Sequence, residues 1–150
     1  MTPPDNHIQG RVLVAGSANG VALLLDDPLS FWGGFDPLNG AIIDIHHPQY
    51  GESTTGSVMF IPESRGSAGT PGAIAEALRN GSGPAAFVLG KHDVKISVGV
   101  MVANRLYHLD VPVIEISLPL IEQVSNGDEI QITRDGWVLA KILDPDAGPG

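Results

Sequence analysis

Every apolar run in this chain is short, and most are followed by a glycine or proline within three residues. Residues 11–15, 21–25, 41–45, 57–61, 85–89 and 111–116 form such runs. The 19 glycines and 12 prolines follow no fixed period and sit at the ends of these runs, where turns belong. Runs of this length bounded by turn residues read as strands, so the chain is expected to be turn-rich and strand-heavy. Residues 11–15 and 21–25 are predicted to pair as a hairpin around residues 16–20. Residues 128–133 and 137–142 are predicted to form a second hairpin around Arg134-Asp135-Gly136.

Two stretches follow helical spacing instead. Thr70 is the expected N-cap of the first, with Pro71 at the first helical position. Ala73, Ile74, Ala77 and Leu78 would share one face, and Asn80-Gly81 would end the helix. The second helix is expected over residues 97–106. With strands in the majority and both helices mid-chain, the pattern predicts a mixed α/β domain with two strand-rich layers and helices at one side.

The 150 residues fit one domain, and 43% hydrophobic content is enough to bury a core. We expect a disordered or extended leader over residues 1–9, the domain over 10–143 and a flexible tail over 144–150. A formal net charge of −9 repels phosphate backbones and anionic lipid, which argues against nucleic-acid and membrane-surface roles. The absence of cysteine excludes disulfides and a thiolate-held iron–sulfur cluster within this chain. No run approaches the roughly 18 apolar residues of a membrane span, and the first ten residues lack the features of a signal peptide, so a soluble cytoplasmic protein is expected.

Two loops hold the candidate chemistry. Arg65-Gly66-Ser67-Ala68-Gly69 lies between a predicted strand and a predicted helix N-terminus, where unpaired N–H groups and the helix dipole favour an anion. Arg65 adds a positive charge suited to a carboxylate or phosphate, and Ser67 would hold its hydroxyl in that positive field. The loop is neither a nucleophile elbow, since Arg65 stands where the first glycine should be, nor a P-loop, since no Gly-Lys-Ser/Thr follows. The second loop, residues 26–37, carries three of the eight aromatic residues around Ser30-Phe31-Trp32-Gly33-Gly34. Phe31 and Trp32 either lid one end of the core or line a site. His46-His47 is expected to supply one surface and one packed histidine rather than a metal site, because neighbouring residues of an extended chain face opposite ways. His92-Asp93 is read as turn chemistry, with an acid–base pair as the alternative.

Pro28-Leu29-Ser30-Phe31-Trp32-Gly33-Gly34, followed by Asp36, Gly40, Ile43-Asp44, His47-Pro48 and Gly51, resembles the signature of the aconitase X swivel family. Arg65-Gly66-Ser67 at a strand end before a helix resembles that family's second signature. The resemblance spans residues 8–142. It implies a swivelling β/β/α domain that is fused to a large cluster-binding domain in some members and is a separate small subunit in others. The implied activity is dehydration of a small hydroxy acid: cis-3-hydroxy-L-proline first, mevalonate 5-phosphate as the alternative. Ser67 would be the general base, as an alkoxide, with Arg65, Gly66, Ser30, Trp32 and Gly33 around the substrate. The resemblance places an iron–sulfur cluster on a large partner subunit, acting on the leaving hydroxyl, with no metal or cofactor on this chain. A phosphate substrate asks for more basic residues than Arg65 alone, which favours the amino acid. The family's loop usually continues with further Ser or Cys, whereas Ala68-Gly69-Thr70-Pro71 follows here. That difference keeps open a third reading, a non-catalytic binding or scaffold module.

Overall fold

A computed structural model describes residues 6–141. The strands are β1 (Asn6–Gln9), β2 (Arg11–Val14), β3 (Ala18–Leu24), β4 (Val58–Ile61), β5 (Ala86–Leu89), β6 (Val113–Glu115), β7 (Glu129–Ile132) and β8 (Trp137–Lys141); the helices are α1 (Thr70–Arg79), α2 (Val94–Tyr107) and the short α3 (Leu118–Ile121). The sheet order is β1-β8-β7-β3-β4-β5-β6-β2.

β3 is the hinge of the architecture. Its first half, Ala18 to Val21, pairs antiparallel with β7, while Ala22 to Leu24 pair parallel with β4. Parallel pairing continues from β4 to β5 to β6. All four residues of β4 and of β5 are buried, as strands covered on both faces require. Their alternate side chains therefore enter two cores. Met59, Ile61, Phe87, Leu89 and Val113 meet Ala73, Ile74, Ala77 and Leu78 of α1 and Ile96, Val100 and Ala103 of α2. Val58, Phe60, Ala86, Val88 and Ile114 face the other way, onto Ile8, Ile130, Ile132, Val138 and Ala140 of the antiparallel strands. The result is a three-layer β/β/α domain with helices on one side of the parallel sheet and an antiparallel layer on the other.

The apolar face expected for the first helix is the one buried, and the hairpin around Arg134-Asp135-Gly136 forms as β7 and β8. Four expectations are corrected. β2 and β3 do not form a hairpin: β2 pairs with β6 at the far edge of the sheet. Their connection is instead tied to Asp110, whose carboxylate accepts from the Ser17 N–H at 3.1 Å and hydroxyl at 3.0 Å. Residues 41–45 are not a strand but make two isolated bridges, Phe35 to Ile42 and Ala41 to Ser53. Local bonds satisfy that backbone, with Ile43 N–H donating to Gly34 O at 2.9 Å and His46 N–H to Asp44 Oδ1 at 2.9 Å. The N-cap of α1 is Gly69, not Thr70, because the Ala73 N–H already reaches Gly69 O at 3.1 Å. α2 starts at Val94, before residue 97, because Asp93 caps it through a 2.9 Å bond from the Lys95 N–H. Within the segment expected to be a disordered or extended leader, Asn6–Gln9 pairs with β8; residues 1–5 and the expected tail at 144–150 lie outside the described residues.

Candidate functional site

Because β3, β4 and β5 run parallel, the segments that follow them leave from one edge of the sheet. These are the aromatic loop after Leu24, the Arg65-Gly66-Ser67 loop after Ile61 and the Lys91–Lys95 stretch after Leu89, so both loops singled out in the sequence open on the same edge.

The two loops touch through Trp32 and Gly69. The indole lies so close that a Cβ at position 69 would sit 2.5 Å from Trp32 Cδ2. Phe31 and Trp32 divide the roles proposed for them. Phe31 is 1% exposed and meets Phe35 and Phe87 edge to face at 5.2 and 6.3 Å, anchoring the loop in the core. Trp32 is 67% exposed and presents its ring at the surface beside the serine loop. The Ser30 hydroxyl donates to Trp32 O at 2.9 Å, and Gly33, at φ +94°, supplies the left-handed turn that lets Trp32 project. Phe31, Trp32, Phe35 and Pro37 face Gly72, Ala73 and Glu76 of α1 across an apolar groove of about 480 Å³. Arg79 holds Glu76 with bonds of 3.0 and 2.6 Å, which keeps that carboxyl below its ordinary pKa and ionised.

Ser67 sits at the start of α1. Its Oγ accepts from the Gly69 N–H at 3.2 Å and its carbonyl accepts from the Thr70 N–H at 3.1 Å, so the hydroxyl is held against the N-cap, two residues before it, and Ser67 is partly exposed. Arg65 and Gly66 are exposed, and Arg65 makes no ion pair within 4 Å among the described residues. The loop is braced from α2. The Ser64 hydroxyl donates to Asp93 Oδ2 at 2.6 Å while Asp93 Oδ1 caps α2. Lys95 also reaches the loop, its Nζ lying 3.2 Å from where a Cβ on Gly66 would stand. Lys95 was not among the candidates from sequence, and Asp93 was weighed there only as a partner of His92, not as a brace of this loop. A cap residue before an apolar helix was a readable signal for Asp93; nothing local marks Lys95.

The histidine pair divides as expected, with His46 exposed and His47 5% exposed. His47 Nδ1 accepts from the Gln49 N–H at 3.0 Å, so the ring proton is on Nε2 and is donated to Asp27 O at 2.9 Å. His47 therefore fixes the entry to the aromatic loop. His92 does not pair with Asp93; its ring lies 3.5 Å from Ser97 Oγ. An iron–sulfur cluster does not fit this chain. There is no cysteine, and among the described residues no three His, Asp or Glu side chains converge as a metal site.

A β/β/α domain with the Trp32 and Ser67 loops meeting at one sheet edge defines a swivel-type domain. The family profile described as aconitase X swivel domain matches residues 7–140, and the chain belongs to that family. It is 34% identical over 124 residues to a cis-3-hydroxy-L-proline dehydratase of Hypocrea jecorina, covering 83% of this chain but 21% of that protein. The chain thus spans about a fifth of that relative's length. It is 29% identical over 134 residues to the phosphomevalonate dehydratase small subunit of Methanocella arvoryzae, covering 89% of this chain and 97% of the relative. The crystal structure of Thermococcus kodakaraensis aconitase X in its holo form superposes with a TM-score of 0.81 at 24% identity, over 91% of this chain and 99% of that one, and shares the fold. No helix among the described residues is long and apolar enough to cross a membrane.

Proposed function

We propose that this chain is the small, swivelling subunit of a cytoplasmic hydro-lyase that dehydrates a small hydroxy acid, with cis-3-hydroxy-L-proline as substrate. The observation that carries this reading is the junction of Trp32 with Gly69, which joins the aromatic loop to the loop bearing Ser67 at the N-terminus of α1. Ser67 Oγ, as alkoxide, takes the proton from the carbon next to the substrate carboxylate. The C–O bond on the neighbouring carbon breaks, a double bond forms, and the departing hydroxide takes up the proton held on Ser67, so that water leaves and the alkoxide is restored. An alkoxide is costly in water, and the Gly69 N–H, the positive end of α1 and the nearby cations lower that cost. Arg65 and Gly66 with Ser30, Trp32 and Gly33 surround the substrate, and closing the domain over it excludes water.

The cluster-bearing active-site half belongs to a large partner subunit, without which this chain is inactive. A surface that wants a partner supports this. Val94, Val98, Met101 and Val102 lie along the outward side of α2 and are 41–61% exposed, leaving that helix apolar on both faces. A second substrate, mevalonate 5-phosphate, is favoured by one observation: Lys95 adds a second cation to the Arg65-Gly66-Ser67 loop, its Nζ lying over Gly66, which weakens the objection that a phosphate finds too little positive charge here.

The test is to purify the tagged chain from its native extract and assay iron and dehydratase activity in what co-elutes. The expected result is a larger iron-bearing polypeptide and dehydration of one of the two substrates, with kcat lowered on the order of 10²–10⁴-fold in Ser67→Ala. Elution alone and without iron, or full activity in Ser67→Ala, overturns the reading.

A further inference from the structure

We infer that Lys95 is a specificity-determining residue of this site, pairing with Arg65 to bind the anionic group of the substrate; this rests on the reading of the Ser67 loop given above. The φ of Gly66 is not in the left-handed region, so its backbone does not require glycine. What a side chain there would meet is the Lys95 ammonium, 3.2 Å from the Cβ position. The missing side chain leaves Lys95 room to lie over the loop immediately before Ser67.

Nothing else in the described residues accounts for that ammonium. Arg11, Arg79 and Arg134 pair with Glu115, Glu76 and Asp110, whereas Lys95, like Arg65, Lys91 and Arg105, has no carboxylate within 4 Å, and of Lys91, Lys95 and Arg105 it alone is partly buried. Asp93, two residues away, already accepts from the Ser64 hydroxyl and the Lys95 backbone. Lys95 also stands in the first turn of α2, where a cation opposes the helix dipole, so it is not there to stabilise the helix. A partly buried lysine with no counter-charge, lying over the residue that follows the unpaired Arg65, leaves uncompensated positive charge in a protein of formal net charge −9. A carboxylate or phosphate oxyanion supplies the missing partner. Both proposed substrates carry one, and the two-cation arrangement suits the doubly charged phosphate better than Arg65 alone does.

Two measurements test this. In the first, the full chain is titrated with inorganic phosphate while backbone amide resonances are followed by NMR. The Gly66 and Ser67 amides are expected to shift saturably, with Kd weakened by about tenfold or more in Lys95→Met and restored in Lys95→Arg. No shift at these amides, or equal shifts in Lys95→Met, overturns the inference whatever the chain's activity. In the second, the complex with its partner is assayed. Lys95→Met is expected to raise KM about tenfold with kcat changed far less, and Lys95→Arg to recover most of the loss. An unchanged KM in Lys95→Met, in a complex that Ser67→Ala inactivates, sinks the role of Lys95 and leaves the proposed reaction standing. Full turnover in Ser67→Ala sinks the proposed reaction, and the phosphate titration then still decides whether Lys95 binds an anion.

Discussion

The Ser64 hydroxyl donates to Asp93 Oδ2 at 2.6 Å, joining residues 29 apart in sequence and tying the loop that carries Ser67 to the first turn of α2. The same carboxylate caps that helix through the Lys95 N–H. Asp93→Ala removes both bonds and is expected to cost about 1–2 kcal/mol, mostly from the lost cap. Ser64→Ala is expected to cost under about 1 kcal/mol, and a double-mutant cycle by urea unfolding should show a coupling of about 1 kcal/mol. A coupling of zero would mean that the loop is not held from α2.

The contact between Trp32 and Gly69 makes a prediction of a different kind. A methyl at 69 would stand 2.5 Å from Cδ2 and 2.7 Å from Cγ, near the root of the side chain, so the whole indole must move. At φ −79° the backbone of Gly69 accommodates alanine without strain. Since Trp32 is largely exposed, Gly69→Ala should cost about 1 kcal/mol or less in unfolding. The tryptophan emission should change and, in the assembled complex, turnover should fall. Wild-type turnover with a displaced Trp32 would remove the indole from the proposed site.

How much of this was legible in sequence depended on the range of the interaction responsible. The buried face of α1 could be read because Ala73, Ile74, Ala77 and Leu78 recur at helical spacing. The β7–β8 hairpin could be read because Arg134-Asp135-Gly136 is local turn chemistry, with Gly136 at φ +95°. The β2–β3 connection looked equally local, but Asp110, 93 residues from Ser17, redirects the chain. The family signature drew attention to Ser30, Trp32, Arg65 and Ser67, yet their relation could not be read, because it passes through a contact between residues 32 and 69. Lys95 stayed hidden for the same reason: its partner is the empty space at Gly66.

Thr70 offers a stability test. Its hydroxyl is buried at the first helical position and has no hydrogen-bond partner among the described residues. Thr70→Val keeps the shape and deletes the unpaired oxygen, so it should stabilise the fold by about 1 kcal/mol. Urea unfolding checks the sign. A loss of similar size would mean that the hydroxyl finds a partner in solution.

His47 is the reverse case, a buried polar side chain with both ring nitrogens bonded. His47→Ala leaves Asp27 O and the Gln49 N–H without their partner and opens a cavity under the aromatic loop. The expected cost is about 2–4 kcal/mol. Thermal unfolding gives the cost, and the change in Trp32 emission reports whether the loop loosens with it.

Asp110 predicts a pH dependence. The bond from the Ser17 hydroxyl, opposed next by the cost of burial and helped by Arg134 and the Ser17 N–H, holds its carboxyl below the ordinary value of 3.8. A carboxyl whose folded-state pKa is lowered stabilises the fold at pH values above its unfolded pKa. That contribution fades as pH falls through the unfolded and then the folded value. The side chain is 47% exposed, so solvent screening limits the contribution to under about 1 kcal/mol. Asp110→Asn should therefore be slightly less stable than wild type at pH 7, and the gap should narrow steadily below pH 3.8. Urea unfolding of both proteins across that range measures the gap. A difference that stays constant with pH would mean that the asparagine lost shape rather than charge, and that the tie between Ser17 and Asp110 stabilises the β2–β3 connection by geometry alone.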